Sequence, residues 1–177
     1  MGLIIKDKIP MFMRGYPTVS DKYNVAGGIL EGNLVAKFGD LVQFGTQPGY
    51  FKAIGAGQTI DAVTKLAGIV LATNVKLAQE WPGEGVQVNP GEAFNLMVNG
   101  FVAIELAATA VKNDVTANAK VYVTANGAFT TATDTNALKT GGAATPIPGM
   151  VFTGMIENHG TADAPKYFAE ILVGCAN

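Results

Sequence analysis

The 177-residue chain has one cysteine, one histidine, one serine, one arginine and one tryptophan. Each scarcity excludes a chemistry. With Cys175 alone no intrachain disulfide forms, and the fold is compatible with a reducing compartment. A structural zinc site takes four Cys or His ligands, and only Cys175 and His159 are available. A Ser–His–acid triad would have to use Ser20 and His159, and neither sits in a nucleophile motif. A phosphate clamp would rest on Arg14 alone, without a glycine-rich loop ending in Gly-Lys-Ser/Thr. The seven Asp and seven Glu are scattered, and the closest pair, Glu80 and Glu84, reads as a solvated loop. The expectation is a protein that is not an enzyme and has no catalytic residue, metal or cofactor.

Charge is sparse as well. Charged residues make up 15% of the chain, against about 25% in a typical domain. Net charge is −2, and the lysines stand singly, so the basic cluster of a nucleic-acid binder is missing. No apolar run approaches the about 18 residues of a membrane-spanning helix; the nearest, Phe101 to Val111, contains Glu105. Met1-Gly2-Leu3-Ile4-Ile5-Lys6 is too short for a signal peptide and lacks the hydroxyl residue of a myristoylation site. The chain is therefore expected to partner neither membrane nor nucleic acid, and to stay in the cell that makes it unless carried out in something larger. Cys175 reads as a small apolar residue closing the last strand. His159 reads as a turn residue with no partner nearby in sequence.

What is abundant is turn and strand. The chain carries 22 glycines and 8 prolines, and 49% of it is hydrophobic. That length suffices for one domain without a staple, burying about 68–70% of the unfolded surface. From Gly27 onward short apolar runs alternate with turn formers. Leu41–Phe44 and Tyr50–Ile54 flank Thr46-Gln47-Pro48-Gly49. Asn99-Gly100 and Asn126-Gly127 each carry the dipeptide of a two-residue hairpin. Met150–Ile156 and Lys166–Val173 read as a closing pair. Gly39-Asp40, Gly91-Glu92 and Asn113-Asp114 each place a turn former and an acid ahead of a strand. Between Ile60 and Gln79 periodicity alone does not separate helix from strand; 66–72 reads better as strand, with a helical turn near Asp61. Residues 132–149 read as a long loop. The total is eight to ten strands, spaced for an all-β sandwich or barrel.

Residues 1–26 read as an extended N-terminal arm and 27–177 as a single β-sandwich or barrel domain, because Pro10, Gly15 and Pro17 oppose regular structure. Eight large apolar side chains crowd the arm: Leu3, Ile4, Ile5, Ile9, Met11, Phe12, Met13 and Tyr16. Burying them yields roughly 12–24 kcal/mol at about 1.5–3 each. Ordering some 18 residues of backbone costs roughly 18–36 kcal/mol. The arm therefore needs main-chain pairing, either on its own sheet or on another subunit. If it reaches a neighbour, Ile4, Ile5, Ile9, Met11, Phe12, Met13 and Tyr16 form the interface with that subunit.

The order of segments is Ala67–Ala72, Val86–Glu92, Val98–Val102, Lys120–Val123 with Asn126-Gly127, and Phe168–Val173. In that order, from about residue 20 to the end, the chain resembles the structural cement, or capsid decoration, proteins of tailed bacteriophages. The resemblance implies a jelly-roll-like fold and a homodimer, favoured over a trimer. It places that dimer on the outer surface of an icosahedral head, across joints between major capsid protein subunits, after synthesis in the bacterial cytoplasm. It carries over no catalytic or ligand residues. Two other readings stay open: another virion part, such as a head fibre or tail-tube subunit, and a carbohydrate-binding β-sandwich in which Trp81 and Tyr50 stack on a sugar.

Overall fold

The computed structural model describes residues 14–15, 17–18, 24–55, 60, 62–71 and 87–174. In chain order the strands are β1 (Asn24–Glu31), β2 (Ala36–Lys37), β3 (Leu41–Phe44), β4 (Tyr50–Ala53), β5 (Leu66–Val70), β6 (Gln87–Val88) and β7 (Ala93–Glu105). They continue as β8 (Tyr122–Val123), β9 (Phe129–Thr130), β10 (Lys139–Thr140), β11 (Ala143–Ala144), β12 (Met150–Asn158) and β13 (Tyr167–Val173). Helix among the described residues is confined to 3-10 turns at Val63–Lys65 and Lys112–Asp114. The chain is all-β, as its turn-punctuated runs predict.

Five strands close a barrel. β1 pairs in parallel with β4, β4 antiparallel with β3, β3 with β5, β5 with β7, and β7 returns to β1. Two more strands, β13 and β12, extend from β7 as a second sheet. β2 and β6 form a separate short ladder whose Ala36 and Val88 join the barrel's buried interior. That interior holds Leu30, Phe38, Val42, Phe51, Val70, Phe94 and Leu96. A larger core lies on the other side of β3, β5 and β7, where Leu41, Ile69, Met97, Ile104, Phe152 and Ile171 pack together.

Two cores explain the Ala67–Ala72 run. Successive strand residues face opposite sides, and here both sides are dry: Ile69 and Leu71 enter the larger core while Val70 enters the barrel. A strand buried on both faces is apolar throughout, which is why alternation was missing from the sequence.

Asn99-Gly100 departs from the hairpin expectation. β7 runs straight through it for 13 residues. Before it, β7 pairs with β1 and β5; from Gly100 on it pairs with β13. Gly100 sits at φ 129°, where a side chain is disfavoured, and here the strand passes from barrel to second sheet. Tertiary pairing with distant strands outweighs the local turn preference.

The other Asn-Gly does turn. β8 and β9 pair around it, and the Thr124 amide donates to Ala128 carbonyl at 2.9 Å. The long loop at 132–149 contains the short β10–β11 hairpin. Asp114 ends a 3-10 turn rather than preceding a strand, because the main chain here bonds to itself, the Asp114 amide donating to the Val111 carbonyl and the Val115 amide to the Lys112 carbonyl. The strand count exceeds eight to ten because six strands have two residues each, too few to show a period.

β1 begins at Asn24 and crosses the 26/27 position set as the end of the arm.

Candidate interaction surface

Arg14, isolated in the sequence and without a phosphate loop, fastens three parts of the fold. Its guanidinium pairs with Asp40 just ahead of β3, and its Nη1 lies 3.2 Å from Glu105 Oε2 at the end of β7. Lys166 Nζ approaches the other Glu105 oxygen at 3.7 Å. Next to it Gly15 is wedged on Gly39: a methyl group at Gly15 would lie 2.5 Å from the Gly39 nitrogen, and φ is 72°. The Gly15 amide donates to the Ala103 carbonyl at 2.9 Å and the Thr18 amide to the Phe101 carbonyl at 3.1 Å. Pro17 bridges Val102. Gly15, Pro17 and Thr18 thus pair with the chain's own β7. Ile4, Ile5, Ile9, Met11, Phe12, Met13 and Tyr16 lie outside the described residues, as do Ser20, Glu80, Trp81, Glu84 and Cys175.

The electrostatics of this root are opposed. Burial raises the Asp40 carboxyl above the ordinary Asp range, against the pull of the Arg14 guanidinium and the Lys37 amide, while nearby Glu105 adds to the rise. Asp134 is 4% exposed. Burial would raise it too. Hydrogen bonds from Thr130 Oγ1, the Asn136 amide and Thr109 Oγ1 outweigh that and hold its carboxyl below the usual range. Asp134 thereby staples the segment after β7 to the loop after β9.

His159 has a partner after all. Its Nε2 lies 2.9 Å from Glu157 Oε2, and its ring stacks on Phe168 at 4.3 Å. The turn that follows β12 folds the two residues back within reach. Tyr50 opens β4 and is half-buried, paired with Ile29. Among the described residues, no three Asp, Glu, His or Cys side chains converge as metal ligands. None of the described helices is long and apolar enough to cross a membrane.

What the surface does offer is apolar contact area. Phe44 is 62% exposed at the end of β3, with its ring centroid 6.1 Å from that of buried Phe51. Val25 and Val98 are exposed neighbours at the irregularity between β1 and β7. Val98 also borders an open hollow of about 270 Å³ lined by Leu66, Gly68, Met97, Ile147 and Val173, where the β5 and β13 ends leave the same edge of β7. Single exposed apolar residues are ordinary.

The model of a family described as structural cement protein (E217 gp24/Pam3 gp6) matches residues 7–168. No protein of curated function matches the sequence. A chain from a solved structure titled "The capsid of Myoviridae Phage XM1" is similar in fold, with a TM-score of 0.50 at 15% identity over 96% of each chain.

Proposed function

Because this chain belongs to the phage structural cement family and serves as a capsid cement protein of the virion, we propose that it sits on the outer surface of the icosahedral head. There it bridges major capsid protein subunits as a homodimer, made in the host cytoplasm and acting without catalysis, cofactor, nucleic acid or membrane. The family match over residues 7–168 carries the reading. Cementing needs no chemistry: once one contact with the shell forms, the next is effectively intramolecular, and weak contacts accumulate as avidity.

The root at Arg14–Thr18 supports a role for the arm. It anchors the chain to β7 by hydrogen bonds and a shared arginine, so the residues before it start from a fixed point. We assign Ile4, Ile5, Ile9, Met11, Phe12, Met13 and Tyr16 to contact with the shell or a second copy, since their burial alone does not offset the cost of ordering them. The test mixes purified protein with undecorated heads. Binding with increased resistance of the heads to heat is expected; failure of the wild-type chain to bind would end the reading.

A further inference from the structure

The second sheet has two edges, and the described chain covers them unequally. Beyond Gly100, the edge of β7 away from β13 receives the Gly15 and Thr18 amides and the bridge at Pro17. The opposite edge is β12. Its first residues are covered by the segment ahead of β8: the Asn118 amide donates to the Phe152 carbonyl, the Phe152 amide to Ala119, and the Val121 amide to Met150. That cover ends at Phe152. From Gly154 to Asn158, no main-chain group from outside the β12–β13 pair bonds to the strand among the described residues. Gly154, Met155 and Asn158 are exposed.

Hydrogen bonds in the neighbouring ladders fix which groups face outward. The Leu106 amide donates to the Tyr167 carbonyl at 2.9 Å, so Tyr167 turns its main chain toward β7. Adjacent strand residues turn opposite ways, so Phe168 bonds toward β12, where its partner in register is Glu157. The His159 amide, bonded to the Lys166 carbonyl at 2.8 Å, keeps the same phase. Ile156 and Asn158 therefore aim their N–H and C=O groups away from β13, at the open edge. Such an edge invites another strand unless lysine, proline or a cover prevents it. Gly154-Met155-Ile156-Glu157-Asn158 has neither lysine nor proline, and its one carboxylate lies 2.9 Å from His159. The irregularity of β12 falls ahead of both outward-facing residues, between Phe152 and Ile156.

We propose that a second copy occupies this edge: β12 pairs antiparallel with its own counterpart across a two-fold axis, joining two second sheets into one. The inference rests on the homodimer reading above and gives it an interface. A two-fold makes this edge its own complement, since each Ile156 offers one donor and one acceptor to the other. Register follows from charge. Outward-facing residues must meet one another, so Ile156 lies opposite either Ile156 or Asn158 of the second copy. Pairing with Asn158 would set the two Glu157 side chains directly opposite, where like charges repel. Ile156 on Ile156 avoids that, and brings Met155, 42% exposed, beside the second copy's Glu157.

The experiment follows sedimentation over a dilution series for wild type, Met155→Glu and Met155→Lys, with thermal melts of each and amide exchange of wild type. Wild type should dimerise, and its Ile156 amide should exchange slowly in the dimer and quickly on dilution. The Glu157 amide, bonded within the chain, should stay protected throughout. Met155→Glu should weaken self-association by roughly tenfold or more, because the two-fold repeats its clash with Glu157. Met155→Lys should dimerise at least as well as wild type. A monomeric wild type that still binds undecorated heads overturns this interface and leaves the cement reading standing. A dimer with Ile156 protected that binds no heads supports the interface and ends the cement reading. A dimer whose Ile156 amide exchanges quickly has its contact elsewhere, which overturns the proposal. So would protection of Ile156 only on heads, which gives the edge to a strand of the shell. Equal weakening by both variants would overturn the register. Should Met155→Glu unfold, the exchange of wild type decides alone.

Discussion

Arg14 and Glu105 meet at 3.2 Å, joining the segment ahead of β1 to the last residue of β7. The same guanidinium also holds Asp40, so one side chain ties the N-terminal root to barrel and second sheet together.

Gly15→Ala should detach that root without unfolding the domain. The new methyl group would collide with backbone at Gly39, and the positive φ adds strain of about 1–3 kcal/mol. Amide exchange is the measurement: protection at Gly15 and Thr18, which bond to Ala103 and Phe101, should be lost while Ile104 stays protected. Equal loss at Ile104 would mean that the root is part of the core.

Arg14→Ala should raise the Asp40 titration further, because the guanidinium now opposes the upward push of burial. The stability consequence has a definite sign. Between the ordinary Asp value, about 3.9, and the raised folded value, the folded state keeps a proton that the unfolded chain has lost. Stability attributable to Asp40 therefore falls as pH rises through that window. Carbon-detected carboxyl titration and melts of Asp40→Asn, in which this slope disappears, check both statements.

Asp134 has the opposite sign. Its folded value lies below the ordinary one, so its contribution is complete above about pH 4–5 and is lost as pH falls through the lowered folded value. Asp134→Ala should cost about 3 kcal/mol or more at neutral pH, since hydrogen bonds to a charged group contribute about 1.5–3 each. Denaturant titration of wild type and variant at pH 7 and in the acid range gives the difference, which should shrink in acid.

Gly100→Val should destabilise by about 1–3 kcal/mol through backbone strain at φ 129°, and should loosen β7–β13 pairing more than β7–β1. Exchange at Val102 and Ile171 against Ala26 and Leu96 separates the two ladders.

How much of this was legible follows from where the partners lie. Tyr122 to Thr130 closes on itself through a hairpin, so its Asn-Gly signal sufficed. The identical dipeptide at 99–100 sits in a strand whose three partners come from residues 24–29, 69–70 and 168–173, and no local signal encodes those. Arg14 was conspicuous as the one arginine, but its two acids are 26 and 91 positions away.

β7 also decides how the molecule carries a mechanical load. One continuous strand serves as a wall of the barrel and as the first strand of the neighbouring sheet, so a tug on β13 enters the barrel through six residue pairs loaded side by side. Lengthwise tension then strains those bonds together rather than peeling them one at a time. Without a loop between the halves to act as a hinge, barrel and second sheet would take such a load as a single strut.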